Sequence, residues 1–365
     1  MPPDPDHDSM LVAVIDSNAE RLSDEGRILA SRYPVALFRD PGEAMAFLPT
    51  ARPRVIVVDE SSRGGELIGK IRRIDALRAV PLILASADLA MTAREVDADV
   101  ILQRPFWPRS LLRAVSRLSN RTVEASWNDL PPGQKDALCK TVSVFTDISD
   151  TLMSGEPVDY PSLTEACGLL VEAVSRNDHR AILDGVRDHD NYTYVHSLRV
   201  ATFLAMFGNA IGLTQKEVLV LSVGGLLHDI GKTAIPYSVL NKPGSLSPRE
   251  WDVIKTHVPK TVDYLYRHTS LPHAVMTIAK QHHEKIDGSG YPHGLRNGKI
   301  SDLARMASIV DIFGALTDRR PYKSAMSPEK ALSLMYGEMA SALDVHLLVT
   351  FREMLLDAAD TVIVH

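Results

Sequence analysis

The N-terminal third of the chain alternates short apolar runs with helical patterns, and then the alternation stops. The apolar runs lie at residues 11–15, 55–58, 81–84 and 100–102. Buried strands separated by helices predict a doubly wound parallel sheet, so this part is predicted to be α/β. From about residue 140 onward the patterns are helical and no stretch keeps a period of two, which predicts an all-α C-terminal part. The change of pattern predicts a multidomain fold.

The segment between the two parts is polar and contains Pro131-Pro132-Gly133, which indicates a domain boundary. We predict an α/β domain at 10–120, a connector helix at 121–155 and a helical domain at 156–365. An apolar stripe with helical spacing follows the boundary and consists of Leu138, Val142, Phe145, Ile148 and Leu152. It could belong to a coupling helix that pairs between protomers, or to the first core helix of the next domain. The stripe covers only two heptads, which favours the second interpretation.

Composition narrows the class of protein. The chain has 365 residues, of which 45% are hydrophobic, and its formal net charge is -6. This balance gives no support to binding of a nucleic-acid polymer, which favours a basic surface. The two cysteines form no CxxC motif, the N-terminus lacks the basic start of a signal peptide, and no run of about 18 apolar residues occurs. We therefore expect a cytoplasmic protein without membrane insertion.

Polar residues that are costly to bury stand within or at the end of apolar helical runs in the C-terminal part. His228 and Asp229 follow one apolar run, and His282 and His283 follow another. Asp311 lies among small and apolar neighbours. Burying such groups costs free energy unless each has a partner, and a metal ion suits imidazole and carboxylate together. These residues therefore predict a metal site.

The order of these residues resembles that of the HD-GYP family, metal-dependent phosphodiesterases that open the bacterial second messenger cyclic di-GMP. The resemblance covers residues 190–325 and includes the string His228-Asp229-Ile230-Gly231-Lys232 and the adjacent His282-His283. It implies seven metal ligands, which are His196, His228, Asp229, His257, His282, His283 and Asp311. It also implies hydrolysis of cyclic di-GMP to pGpG, to GMP or to both.

Seven ligands suffice for two divalent metal ions if Asp229 bridges them. One centre is then expected to take His196, His228, Asp229 and Asp311, and the other Asp229, His257, His282 and His283. A nitrogen and oxygen donor set without thiolate fits Fe, Mn, Ni or Zn better than Mg or Ca, with Fe the first choice. Two such ions about 3.5–4 Å apart can stabilise the entering and leaving oxygens of a phosphodiester.

The same resemblance assigns roles to further residues. Lys232, one turn after the His-Asp pair, is expected to act with Asp229 in catalysis, where it would neutralise the phosphate or protonate the leaving oxygen. The glycine-rich loop after His283 resembles the family's signature loop, which borders the pocket and also contacts diguanylate cyclases. Five residues are implied to bind substrate, three in this loop and two after Asp311: Gly290, Tyr291, Pro292, Arg320 and Lys323.

Two positions depart from the family pattern. Tyr192 stands where some members carry a glutamate that recruits a third metal ion, so two metal ions are expected. Gly314 stands where the family usually has an aspartate, which removes a carboxylate near the site. Two alternatives to a cyclic di-GMP phosphodiesterase therefore stay open. One is a phosphohydrolase that acts on another cyclic dinucleotide or nucleotide. The other is a weak or inactive module that binds a cyclic dinucleotide or a diguanylate cyclase without turnover.

The N-terminal part resembles the receiver domain of response regulators. Asp59 matches the phosphoacceptor, Asp16 an acidic magnesium-binding position and Ser86 the hydroxyl that senses the phosphoryl group. Ser17 replaces a second acid, and Arg104 replaces the lysine that usually precedes the Pro-Phe pair. Both changes weaken a Mg²⁺ and phosphoryl site. A phosphorylated receiver and a receiver kept for docking or dimerisation both stay open.

From these changes we expect phosphorylation of Asp59 to be weak or absent. The domain would then act mainly through dimerisation by the helix around residues 138–152. A sensor histidine kinase and a second copy of the chain, as a homodimer, are the protein partners that the resemblance to receivers implies.

Overall fold

The computed structural model describes residues 11–87, 96–154, 159–187, 189, 191–242, 244–267, 271–318 and 325–360. The chain divides into two compact units. The first comprises Met1–Thr122 with Pro236–Lys242, and the second comprises Val123–Ile235 with Pro243–His365. The α/β and helical patterns of the sequence therefore fall in different units.

The first unit contains a five-stranded parallel sheet in the order β2-β1-β3-β4-β5. The strands are β1 (Val12–Ile15), β2 (Val35–Phe38), β3 (Val55–Asp59), β4 (Leu82–Ser86) and β5 (Val100–Gln103). Its helices are α1 (Ala19–Leu29), α2 (Pro41–Ala51), α3 (Gly64–Arg72) and α4 (Pro108–Ser119), and α5 (Arg121–Ser126) crosses the boundary into the second unit. This order of strands and helices confirms the predicted α/β fold.

Strands that are covered on both faces explain why the sequence showed continuous apolar runs. In β1, Val12 and Val14 pack into one apolar cluster, whereas Ala13 and Ile15 pack into another on the opposite face. Strand β2 was not among the predicted strands. It lies at the edge of the sheet beside β1, where Leu37 is exposed and the other three residues are partly buried.

Helices form the second unit. They are α6 (Pro132–Ser154), α7 (Tyr160–Ser175), α8 (His179–Gly185), α9 (Tyr192–Ala210), α10 (Gln215–Leu227), α12 (Pro248–Lys255), α13 (His257–Tyr266), α14 (His273–Gln281), α15 (Asp302–Thr317), α16 (Pro328–Glu338) and α17 (Val345–Asp360), while the short α11 (Tyr237–Leu240) is grouped with the first unit. The predicted all-helical C-terminal fold is thus confirmed. Among the helices of the described residues, none is both long and apolar enough to cross a membrane.

Helix α9 lies at the centre of the second unit. Nearly all of its side chains between Thr193 and Gly208 are buried, and they pack against α10 and α15. Helix α6 also contributes to this core. Its stripe residues Leu138, Phe145 and Ile148 are buried in the same cluster as residues of α7 and α9. The stripe therefore belongs to a core helix of the second unit, and its apolar face is occupied within one chain.

One predicted helix is divided in the structure. The pattern from the capping box Ser247-Pro248-Arg249-Glu250 to Leu265 suggested one continuous helix, but α12 ends at Lys255 and α13 begins at His257. Pro259 accounts for the break, because it has no N–H to donate to the carbonyl of Lys255 and its ring disfavours a continuous helix at that point. The break places His257 at the start of a helix, where its side chain faces the interior.

Candidate metal centre

Seven side chains converge inside the second unit. The ligand atoms of His196, His228, Asp229 and Asp311 lie within 4.8 Å of one another, and those of Asp229, His257, His282 and His283 do so as well. Asp229 belongs to both groups. The structure thus brings together all seven residues for which the sequence suggested metal binding, in two groups that share one carboxylate.

The positions of these residues in their helices explain how they meet. His196 and Asp311 project from the interior of α9 and α15, whereas the other five lie at or just beyond helix ends: His228, Asp229, His257, His282 and His283. The turn after Asp229 passes very close to α13. A Cβ atom on Gly231 would lie 2.3 Å from the carbonyl oxygen of His257, so this approach requires glycine.

Backbone carbonyl groups orient three of the imidazole rings. Nδ1 of His228 and Nδ1 of His257 each lie 2.7 Å from the carbonyl oxygen three residues earlier, and Nδ1 of His282 lies 3.0 Å from its equivalent. A carbonyl oxygen only accepts hydrogen bonds, so in each ring Nδ1 carries the proton and donates it. In the neutral form of each ring, Nε2 then keeps a lone pair that points into the groups, as a metal ligand requires.

Several of these buried atoms have no hydrogen-bond partner among the described residues: Nε2 of His228, His257, His282 and His283, and Oδ1 of Asp229. Nε2 of His228 lies 3.1 Å from Oδ2 of Asp229, and Nε2 of His257 lies 3.1 Å from Oδ1. Buried polar atoms left without partners are costly, and a cation between converging nitrogen and oxygen atoms would satisfy them together. The donor set therefore fits divalent metal ions that accept imidazole and carboxylate ligands.

The protonation of the site agrees with this fit. Burial alone would raise the pKa of Asp229, but His228 and Lys232 hold that pKa well below its usual range. Burial would lower the pKa of His228, but Asp229 and Asp311 outweigh it and raise the pKa to about 10. Burial keeps the pKa of His283 well below its usual range. Ionised carboxylates and neutral imidazoles are the forms that bind a metal ion, so Asp229 and His283 already have the required form, whereas His228 would release a proton when a metal ion binds.

Lys232 lies at the edge of the two groups. Its Nζ atom donates to Oδ2 of Asp229, and its amide donates to the Asp229 carbonyl oxygen at 2.8 Å. The side chain is only 15% exposed. A largely buried ammonium group beside the shared carboxylate is well placed to meet an anionic substrate.

The glycine-rich loop lies against the group that contains His283. A Cβ atom on Gly290 would lie 2.5 Å from the carbonyl oxygen of His283, so the loop can take this path only with glycine there. The buried carboxylate of Glu284 fixes the following residues, because it accepts hydrogen bonds from the amides of His293 at 2.7 Å and Leu295 at 2.8 Å. No sequence pattern indicated this role for Glu284.

Aromatic rings lead outward from the same side of the site. The ring centroid of Tyr291 lies 4.6 Å from that of His283 and 6.2 Å from that of Trp251, whose side chain is half-exposed. Gly290 and Pro292 flank Tyr291, so the loop residues expected to bind substrate lie beside the candidate ligand groups. The other two, Arg320 and Lys323, lie outside the described residues.

Tyr192 places an aromatic ring next to His196, at the position where some family members carry a glutamate that recruits a third metal ion. The ring of Tyr192 stacks on His196 with centroids 6.0 Å apart. Nδ1 of His196 lies 2.8 Å from Oδ2 of Asp318, a carboxylate that the sequence did not indicate. The pair is separated by 122 residues, so no local pattern could have shown it.

In the first unit, two arginines fill the acidic pocket at the carboxyl ends of β1 and β3. Arg21 donates to both Asp16 oxygens, at 2.9 and 3.0 Å, and to Oδ1 of Asp59 at 2.9 Å. Arg104 donates to Oδ2 of Asp59 at 2.8 Å and also contacts Glu25. Arg21 was not predicted, although it lies one turn into α1, directly after the Asp16 strand.

The rest of this pocket is also engaged. Ser86 donates through its hydroxyl to Glu60 at 2.5 Å, and Ser61 donates through its amide to Asp59 at 2.9 Å. Burial would raise the pKa of Asp59, but Ser61 and the two arginines lower it, so the carboxylate is ionised. The guanidinium group of Arg21 therefore contacts both Asp16 and Asp59, the two carboxylates of the Mg²⁺ site that the resemblance to receivers suggested.

Comparison with known proteins gives consistent results. The family model described as HD domain matches residues 180–347. A cyclic di-GMP phosphodiesterase of Thermotoga maritima is 36% identical over 276 residues, which cover 73% of this chain and 69% of that protein. The cyclic di-GMP phosphodiesterase response regulator RpfG of Xanthomonas campestris is 28% identical over 87% of this chain and 79% of its own length.

Other matches cover less of the related protein. The 3'3'-cGAMP-specific phosphodiesterase 3 of Vibrio cholerae is 37% identical over 42% of this chain, and the chain spans 33% of its length. The chain likewise spans about half, 47%, of the Pseudomonas aeruginosa cyclic di-GMP phosphodiesterase PA4108.

Among solved structures, the protein Bd1817 of Bdellovibrio bacteriovorus shares the fold, with a TM-score of 0.51 and 21% identity over 67% of this chain and 79% of that one. With the HD-domain match and the extent of the Thermotoga relationship, the chain belongs to the HD-GYP family of HD-domain proteins.

Proposed function

We propose that the protein is a metal-dependent phosphodiesterase that hydrolyses cyclic di-GMP to pGpG, to GMP or to both. The observation that carries this proposal is the pair of buried ligand groups that share Asp229. Two divalent metal ions held there would supply Lewis acidity to both the entering and the leaving oxygen of a phosphodiester. The relatives that are named cyclic di-GMP phosphodiesterases support this substrate.

In this proposal the seven converging residues are the metal ligands, with iron the first choice and Mn, Ni or Zn as alternatives. Lys232 holds positive charge beside Asp229, where it neutralises the phosphate or protonates the leaving oxygen. Gly290 allows the loop to approach the ligands closely, Tyr291 lies beside His283, and Pro292 follows it as a further substrate-binding residue. Arg320 and Lys323 bind phosphate or guanine in the same proposal.

Trp251 extends the aromatic surface beyond Tyr291. Its half-exposed indole ring offers a face on which a purine base can stack. A diguanylate cyclase at the signature loop, a second copy of the chain and a sensor histidine kinase are the proposed protein partners.

Substrate comparison with the purified, metal-loaded full-length chain tests the proposal. We expect faster turnover of cyclic di-GMP than of 3'3'-cGAMP, with linear pGpG or GMP as the product resolved by chromatography. The V. cholerae relative makes cGAMP the necessary comparison substrate. Faster turnover of cGAMP would overturn the assigned substrate. Binding of both nucleotides without hydrolysis by the fully loaded protein would instead favour the alternative of a docking or sensor module.

We further propose that the first unit works as a receiver whose acidic pocket is occupied by Arg21. The full-length protein, incubated with acetyl phosphate and Mg²⁺, should form little or no phosphoryl-Asp59, and Asp59→Ala should change the basal rate little. The reason is that the Arg21 guanidinium meets the two carboxylates that a Mg²⁺ ion would need. Mass spectrometry of the intact protein and a rate assay measure both effects.

Arg21→Ala should gain Mg²⁺ affinity because it removes the guanidinium group that contacts both Asp16 and Asp59, while Arg104 remains on Oδ2 of Asp59. Arg27→Ala is the matched control, since Arg27 lies on the same helix and its side chain is 76% exposed. Efficient phosphorylation of the unaltered protein, with an activity change of several-fold, would show that the pocket is a working switch and contradict the proposal.

A further inference from the structure

The ring of His196 is oriented by a side chain, whereas three other histidine rings of the site are oriented by backbone carbonyl groups. His228, His257 and His282 each use the carbonyl oxygen of a residue in the preceding helical turn. His196 lies in the middle of α9, and its Nδ1 faces the carboxylate of Asp318 at 2.8 Å. A carboxylate at the end of α15 therefore does for His196 what the backbone does for the other three rings.

Gly314 explains why this carboxylate comes from residue 318. A Cβ atom at position 314 would lie 3.5 Å from Nδ1 and 3.4 Å from Cε1 of His196, so position 314 lies directly beside the ring. Glycine supplies no polar group there. Asp318 lies one helical turn later, donates its amide to the Gly314 carbonyl oxygen at 2.7 Å and turns its side chain back to the same ring nitrogen. Asp318 thus supplies the carboxylate that the family pattern places at position 314.

The Asp318 carboxylate is itself held in place. It is buried, and its Oδ1 atom forms an ion pair with Nε of Arg199 at 2.5 Å. Arg199 also donates to the Thr317 hydroxyl at 3.2 Å. One oxygen of Asp318 therefore meets Arg199 while the other remains directed at His196. A buried carboxylate with a fixed cationic partner on one oxygen is a rigid acceptor for the ring.

We propose that Asp318 is a positioning residue for the metal site and compensates for Gly314. It accepts the proton of His196 Nδ1, which fixes the ring and leaves Nε2 facing Asp311, 2.9 Å away, within the first ligand group. Partners of this kind orient a ligand ring and raise its basicity, and their removal typically weakens metal affinity by roughly 10- to 100-fold. The inference rests on the proposed function, because it assumes that the two groups bind metal ions.

The experiment measures Mn²⁺ binding to the full-length protein by isothermal titration, with thermal unfolding of the metal-free variants as a check of folding. Asp318→Ala should weaken one of the two Mn²⁺ sites by roughly 10- to 100-fold and leave the other close to its original affinity. Asp318→Asn should lose less, because the amide oxygen can still accept the Nδ1 proton. Asp302→Ala is the matched control on α15, with a side chain that is 84% exposed, and should bind Mn²⁺ normally.

A second variant separates positioning from a general effect on folding. In Gly314→Asp combined with Asp318→Ala, a carboxylate returns beside His196 from the other position, so most of the lost Mn²⁺ affinity should be recovered. Unchanged Mn²⁺ affinity at both sites in Asp318→Ala would overturn the inference. So would failure of the double variant to recover affinity although it folds. If the unaltered protein bound no Mn²⁺, Fe²⁺ or Zn²⁺, the proposed function would fail first, and the two failures are therefore distinguishable.

Discussion

Replacement of Asp229 by alanine is expected to abolish both metal sites and hydrolysis together. Asp229 is the residue that both ligand groups share, with its two oxygens 3.1 Å from Nε2 of His228 and 3.1 Å from Nε2 of His257. Without Asp229, the two groups lose the ionised carboxylate that links them. The buried imidazoles of the two groups then face one another. Loss of the metal ions removes several kcal/mol of transition-state stabilisation, which corresponds to a fall in turnover of about 10³-fold or more.

Metal content per chain and the rate of cyclic di-GMP hydrolysis measure this effect on the same sample. Asp263→Ala is a suitable control, because Asp263 lies on α13 close to His257 in sequence while its side chain is 68% exposed. The control should keep both metal content and rate. An Asp229→Ala protein that retained two metal ions, or that hydrolysed substrate normally, would show that Asp229 does not bridge the sites.

Replacement of Lys232 by alanine is expected to separate metal binding from catalysis. Lys232 contacts the Asp229 carboxylate but is not among the ligand groups, so both metal ions should remain bound. Turnover should fall by about 10²–10³-fold, because a cation aimed at developing negative charge acts mainly in the transition state. The expected signature is a lower kcat with little change in KM.

Lys255→Ala provides a comparison in which the same charge is removed from the end of α12, where Lys255 pairs with Asp252. It should have normal kcat and normal metal content. If Lys232→Ala turned over normally, its catalytic role would be refuted. If it lost the metal ions, Lys232 would act on the ligands and not on the substrate.

The sequence predicted those parts of the fold that depend on local patterns. The central strands were visible because both of their faces are buried, and α15 was visible because its helical pattern encloses Asp311. The edge strand β2 and the break between α12 and α13 were missed. Burial does not explain the first omission, because the other edge strand, β5, is no more buried and was predicted. The second depends on the missing N–H donor of Pro259, which a run of apolar spacings does not reveal.

The candidate site divides in the same way. The seven residues of the two candidate ligand groups could be identified from family motifs whose order is visible in one chain. The residues that support them could not, because they make contacts across long separations in sequence. Asp318 reaches His196 over 122 residues, and Arg21 reaches Asp59 over 38. The sequence assigned no role to Asp318 or Arg21, and only the fold shows their partners.

The number of metal ions per chain tests the central claim most directly. Elemental analysis of anaerobically purified, full-length protein should give two transition-metal ions per chain. Removal of the metal ions with a chelator should abolish hydrolysis. Hydrolysis should return only when the second equivalent of metal ion per chain is restored. This follows from two ligand groups that share Asp229, and from an aromatic ring at Tyr192 beside His196. A content near three or near zero, or full hydrolysis by the metal-free protein, would contradict the account.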